Sequence, residues 1–234
     1  MSDLQAAFAA ALTLVIHFDR NLAEIVLLSL RVSLTAVLLA SLVGLPLGAI
    51  LGLLRFPGHR PAVVLLNALM GLPPVVVGLV VYLLLSRSGP LGSRGLLFTP
   101  GAMIIAQCIL VTPLVAALTR QVVETLWEEL QEQLRSLGVG PGRAIGTLLW
   151  EGRFSLLTAI LAGFGRAIAE VGAVLIVGGN IAHVTRTMTT AIALETSKGD
   201  LPLALGLGVI LIALALLVNL GAYLMQQFAR RWQT

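Results

Sequence analysis

Arg166 and Glu170 are the two charges that ask most of this chain. They lie four residues apart in Gly165-Arg166-Ala-Ile-Ala-Glu170-Val-Gly172, so a helix would put them on one face as an ion pair. Apolar sequence flanks them on both sides, and a charge left facing lipid at mid-depth costs about 2.5–3.5 kcal/mol. Both must therefore face protein or water. Two readings stay open: a self-neutralising pair that locks helices together, or an Arg166 that lends positive potential to an anion route while Glu170 holds it in place.

A second charged feature is the segment 124–151, ETLWEELQEQLRSLGVGPGRAIGTLLWE, set between two long apolar stretches. It holds Glu124, Glu128, Glu129, Glu132 and Glu151 with Arg135 and Arg143, charges that only water or a partner can receive. The spacing predicts a helix up to Arg135-Ser136-Leu137, a break at Gly138-Val-Gly-Pro-Gly142, and a second helical stretch beyond. A short helix ending in a glycine turn can dock into a groove on another protein. We read this segment as a coupling element, with Glu132, Arg135, Ser136, Leu137 and Gly138 at its tip.

Catalytic chemistry finds no residues to carry it. The sequence has no HExxH, no GxSxG and no paired His/Asp set at ligand spacing, so neither a catalytic centre nor a metal site is expected. His17, His59 and His183 fall in separate surface or interface segments and read as solvated. A GxxxxGK[ST] phosphate loop is absent, and the sole lysine is Lys198, so ATP hydrolysis by the P-loop route is not expected of this chain. The single cysteine, Cys108, lies in an apolar run and allows no intrachain disulfide.

The elements that must position these residues are membrane helices. Apolar residues make up 58% of the 234 residues and charged ones 11%, well under the roughly one quarter usual in soluble domains. The net charge of +4 does not indicate nucleic acid, because the basic residues are spread along the chain without interleaved aromatics. A span needs about 20 apolar residues, and five runs qualify: about 25–54, 62–85, 101–119, 154–179 and 203–228. Residues 4–18 are short and two-sided, with Asp3, Gln5, Thr13 and His17 opposite Leu4, Phe8, Leu12 and Val15. They predict an interfacial helix, with a sixth span as the alternative. No basic n-region or small-residue cleavage site marks them as a signal peptide. The expected organisation is an interfacial helix over 1–20 and a transmembrane domain over 21–234, with its charged loop at 120–153.

Arginine placement sets the orientation. With the N-terminus outside, inner segments hold Arg55, Arg60, Arg120, Arg135, Arg143, Arg153, Arg230 and Arg231, against Arg20, Arg87, Arg94, Arg186 and Lys198 outside. The loop and the C-terminus are then cytoplasmic, and the chain a multi-pass protein of the cytoplasmic membrane. Gly44, Gly48 and Gly52 repeat every fourth residue, a stripe that lets helices approach closely. Pro46 sits within that stripe, while Pro73-Pro74 and Pro113 are expected to interrupt the second and third spans. Freed backbone groups there need protein or a water-lined cavity. Broken helices lining a pathway and ordinary kinked packing both fit.

The motifs together resemble a family. Glu132-Gln-Leu-Arg-Ser-Leu137-Gly138, with Leu148 ten residues on, is similar to the cytoplasmic EAA loop of type I ABC importer permeases, EAA-x3-G-x9-I-x-LP. Glu132 and Gly138 match; Gln133-Leu134 stands for the two alanines, Leu148 for Ile, and Trp150-Glu151 for Leu-Pro. The stretch GRAIAEVGAVLIVGGN at 165–180 resembles the sulfate, molybdate and tungstate permeases, and with NALMGLPPVVVGLVVYLLLSRSGPLG at 67–92 it looks closest to tungstate permeases. The likeness covers nearly the whole chain. It implies an all-α, polytopic, MetI-like permease fold with five transmembrane helices. It further implies a pore made by two copies, ABC ATPase subunits docked on the loops, and an extracytoplasmic oxyanion-binding protein at the outer mouth. No cofactor is implied for this subunit, since ATP is bound by the partner. An ion-gradient-driven secondary transporter is the alternative, but no inverted repeat with two matched broken helices is visible. A non-transporting scaffold would leave Arg166 and Glu170 without a purpose.

Overall fold

A computed structural model describes Thr13 and residues 20–231, so the interfacial helix expected over 4–18 lies, apart from Thr13, outside the described residues. Nine α-helices make up the described architecture: α1 Arg20–Leu53, α2 His59–Met70, α3 Pro74–Leu85, α4 Pro100–Ser136, α5 Pro141–Glu151, α6 Arg153–Ile168, α7 Gly172–Gly178, α8 Met188–Lys198 and α9 Leu201–Arg231. No strand occurs among the described residues. Three helices are long and apolar enough to cross a membrane, α1, α4 and α9 (over Leu201–Leu224), and two bent pairs, α2 with α3 and α5 with α6, bring the number to as many as five.

Helix ends follow the punctuation of the sequence. α1 stops ahead of Pro57-Gly58, where Gly58 takes φ +92°. α2 closes on Gly71, and Pro73-Pro74 then starts α3 with Pro74 in its first turn, where a missing N–H costs nothing. α4 begins at Pro100. α8 opens with a capping box in which Thr187 and Thr190 satisfy each other's backbone amides, and it closes on Gly199 at φ +84°.

Two expectations need correction. Pro113 does not interrupt the third span: α4 runs unbroken from Pro100 to Ser136 with Pro113 inside it. The stretch around it is closely packed: a Cβ on Gly44 would lie 3.0 Å from Val115 Cγ1 and 3.2 Å from the Thr112 carbonyl oxygen. Nor is the run 154–179 one continuous span. It breaks between Ile168 and Gly172, because Glu170 spends its carboxylate on the amide of Ala173 at 3.2 Å and starts a new helix.

The chain divides into two compact units. Of the described residues beyond Thr13, the first comprises 20–36, 73–107 and 165–218. Its interior includes Leu22, Val32, Met103, Val174, Val177, Met188 and Leu207, each below 2% exposed. Within it α3 lies close on α7: a Cβ on Gly78 would fall 2.8 Å from Ala173 Cα. The second comprises, among the described residues, 37–72, 108–164 and 219–231. Its core joins Ala49, Leu53, Val123, Leu134, Ala144 and Leu148. The glycine stripe is spent inside this unit, against α4. A Cβ on Gly48 would sit 2.3 Å from the Ala116 carbonyl oxygen, and one on Gly52 2.9 Å from that of Arg120.

Candidate functional site

The charged loop is a helical hairpin in the second unit. α4 ends at Ser136, and Gly138 follows at φ +72°, a left-handed conformation that costs a residue with a Cβ roughly 1–2 kcal/mol. The amide of Gly138 donates to the Arg135 carbonyl at 3.0 Å and that of Val139 to the Leu134 carbonyl at 2.9 Å. These are the two bonds of a Schellman motif, which satisfies the last carbonyls of α4. Val139 packs with Leu134, the apolar contact that accompanies such a turn. Gly140, with φ −75°, precedes Pro141, and α5 returns the chain by burying Ala144 and Leu148 at i,i+4 spacing. The helix before the turn is thus the end of a 37-residue helix, and the short helix is the one after it.

Burying the inner faces leaves the tip outside. Glu132, Arg135, Ser136 and Gly138 are exposed, and Leu137 is 76% exposed, an apolar knob beside a glycine turn. The Arg135 guanidinium lies 5.7 Å from the centroid of the Trp127 ring. Ser136 Oγ donates to the Gln133 carbonyl at 2.7 Å. At the far end Gly152 joins α5 to α6 at a 74° bend, where a Cβ would meet Val122 Cγ1 at 2.9 Å. Trp150, 68% exposed, carries Arg153 over its ring at 5.0 Å.

The second cluster, in the first unit, is the break after α6. Arg166 Nη1 donates to Glu170 Oε2 at 2.5 Å. The two side chains differ in burial: Glu170 is 4% exposed and Arg166 40%. Glu170 Oε1 accepts from the Ala173 amide, so the carboxylate caps α7 as well as pairing with Arg166. The Glu170 carbonyl accepts from Thr189 Oγ1 at 2.8 Å. Gln107, 3% exposed, donates through Nε2 to the Ala167 carbonyl at 3.0 Å, while its own Oε1 has no partner among the described residues. Gly172 is required here, because a Cβ would lie 2.8 Å from Val75 Cγ2 at the start of α3, next to Pro73-Pro74. The arrangement fixes the anionic partner and leaves the guanidinium partly open, which suits contact with an anion better than with a cation.

Gln107 and Thr189 were not singled out in the sequence, and neither was the polar segment behind Thr189. There Thr185 Oγ1 donates to the Gly178 carbonyl at 2.6 Å, and Glu195, 5% exposed, meets Lys198 at 3.1 Å and Arg186 at 3.7 Å. The threonine-rich wording HVTRTMTT at 183–190 was the available signal: threonines flanked by apolar spans need partners. One histidine also departs from expectation: His59 is buried, its Nε2 donating to the Leu51 carbonyl at 2.7 Å. His183 is exposed, as expected, and meets Glu24 at 2.8 Å. Among the described residues no three His, Cys, Asp or Glu converge on a metal-sized site.

Residues 44–233 match the family described as binding-protein-dependent transport system inner membrane component. Over 227 residues the chain is 41% identical to the tungstate uptake system permease protein TupB of Peptoclostridium acidaminophilum, covering 97% of this chain and all of that one. It is 46% identical over 208 residues to a probable anion ABC transporter permease protein of Haloferax volcanii, covering 86% and 89%. A tungstate uptake system permease protein of Campylobacter jejuni is 39% identical over 212 residues, covering 91% and 89%.

Proposed function

The chain belongs to the family of binding-protein-dependent transport system inner membrane components, and from that premise we propose that it is the membrane-spanning permease of an ATP-driven tungstate importer. Two copies form the pathway, an ABC ATPase subunit docks on each hairpin, and an extracytoplasmic binding protein delivers the oxyanion. The N-terminus lies outside and the C-terminus and residues 120–153 in the cytoplasm. The chain holds no ATPase site of its own; ATP is bound by the partner.

The observation that carries the reading is the exposed hairpin tip. A 76% exposed Leu137 beside a Schellman turn, ringed by Glu132, Arg135 and Ser136, has the form of an apolar knob with a polar rim. A knob of this kind gains most when a partner's cleft removes it from water. Near-full-length likeness to two tungstate permeases supports the substrate. Arg166 is assigned to the anion route, with Glu170 as the residue that positions it and Gln107 as a tie on the preceding backbone turn.

Reconstituted vesicles carrying the chain, its ATPase and its binding protein test this. ATP-dependent tungstate uptake is expected, with calorimetry on the binding protein ranking tungstate against molybdate. Uptake driven by an ion gradient without the ATPase would identify a secondary transporter instead. Capture of molybdate alone would move the substrate and leave the importer reading intact.

A further inference from the structure

The turn between α1 and α2, all within the second unit, carries charge that its surroundings do not cancel. Glu124 is the carboxylate near it, and Arg120 already holds that group at 2.5 Å. Arg55 lies 3.9 Å from the same carboxylate with 70% of its side chain exposed, and exposed Arg60 has no carboxylate partner among the described residues. One carboxylate against three guanidiniums leaves two positive charges over. They edge an open cup of about 660 Å³ lined by Arg55, Phe56, Gly58, His59, Arg60 and Pro61.

The cup is held in shape. A carbonyl only accepts, so the 2.7 Å contact to the Leu51 oxygen puts the His59 proton on Nε2. Nδ1 is then bare, and it accepts from Arg55 Nη1 at 3.3 Å, which aims the guanidinium. Phe56 stands edge-on to the His59 ring at 5.6 Å and is 41% exposed. Gly58 at φ +92° bends the chain, and nothing lies within 4 Å of where its Cβ would be. Behind the cup, both adjoining helices present apolar side chains outward: Leu47 and Ile50 at 39% and 40% on α1, Val64 and Leu65 at 66% and 59% on α2.

We propose that this cup binds the phosphodiester headgroup of an anionic phospholipid. Paired guanidiniums match the planar, divided charge of a phosphodiester, which takes two parallel hydrogen bonds from one arginine. Phe56 sits at the boundary between headgroup and chain, and the acyl chains run along Ile50 and Val64. A soluble phosphate would satisfy the arginines but leave that apolar surface uncovered. Basic clusters beside a membrane helix draw anionic lipid strongly enough for two arginines to give roughly a thirtyfold preference.

The full chain in neutral detergent, titrated with phosphatidylglycerol or phosphatidylcholine and read by native mass spectrometry, tests the site. Wild type should retain phosphatidylglycerol with that preference. R55Q/R60Q should lose most of it and R55K/R60K keep part. An undiminished preference in R55Q/R60Q overturns the proposal. Should that variant fail to purify, R60Q alone decides, since Arg60 has no carboxylate partner among the described residues; an unchanged preference there overturns it equally. Inorganic phosphate displacing the lipid at equal concentration would mean a soluble phosphate site and defeat the lipid assignment.

Discussion

Glu170 has little freedom, because its carboxylate serves both Arg166 and the start of α7 from a 4% exposed position. Arg166, at 40%, can turn part of its charge toward water. The two halves of the pair should therefore respond unequally. Arg166→Met strands a buried carboxylate and should approach the roughly 3–5 kcal/mol cost of breaking a buried pair. Glu170→Gln keeps an acceptor for the Ala173 amide and should cost less. The double variant should recover much of the loss, as read by thermal unfolding in detergent. Uptake then separates the roles: folding restored without transport places the guanidinium in the anion route, and transport restored as well leaves it a structural pair.

At the scale of elements, two glycines that look alike in sequence do different work. Gly138 is held at φ +72° by the Schellman bonds, whereas Gly140 at φ −75° occupies backbone any residue adopts, with open space at its Cβ position. Gly138→Glu should leave the chain inserted but abolish ATPase co-purification or uncouple hydrolysis from uptake; Gly140→Ala should be nearly silent. Normal uptake by a well-expressed Gly138→Glu protein would remove the coupling role from this hairpin. The packing of α1 on α4 gives a contrasting case. Gly48→Val would drive a side chain into the Ala116 carbonyl, so it should cost several kcal/mol and lower yield of folded protein, with no selective effect on ATPase binding.

For the whole molecule, the stripe Gly44, Gly48 and Gly52 offers no surface to a second copy, since its contacts are with α4 of the same chain. A dimer must use other faces. Exposed apolar side chains run along α1 (Leu34, Leu38, Leu42) and α3 (Val76, Val80, Leu83), the two faces open to a second copy or to lipid. Single cysteines at these positions, in a Cys108→Ala background, should crosslink between copies in native membranes on one of the two faces. A purely monomeric chain within the purified ATPase complex would end the dimer reading.

Much of this was open to a reader of the sequence because its causes are local. Apolar runs long enough to span, prolines at helix starts and a glycine after an amphipathic helix need only their neighbours in the chain, so the helical class, the loop and the turn at Gly138 were legible. So was the Arg166–Glu170 pair, whose spacing is a single helical turn. What tertiary structure decided are the partners brought from afar. Gln107 reaches a carbonyl sixty residues away, Thr189 closes on Glu170, and His59 folds back to Leu51 instead of facing water. Pro113 stays inside an unbroken helix and a helical run breaks at Glu170, the reverse of what propensity alone suggests. The reason is physical: a backbone group in an apolar surrounding goes wherever a partner exists, and only the packed chain places those partners.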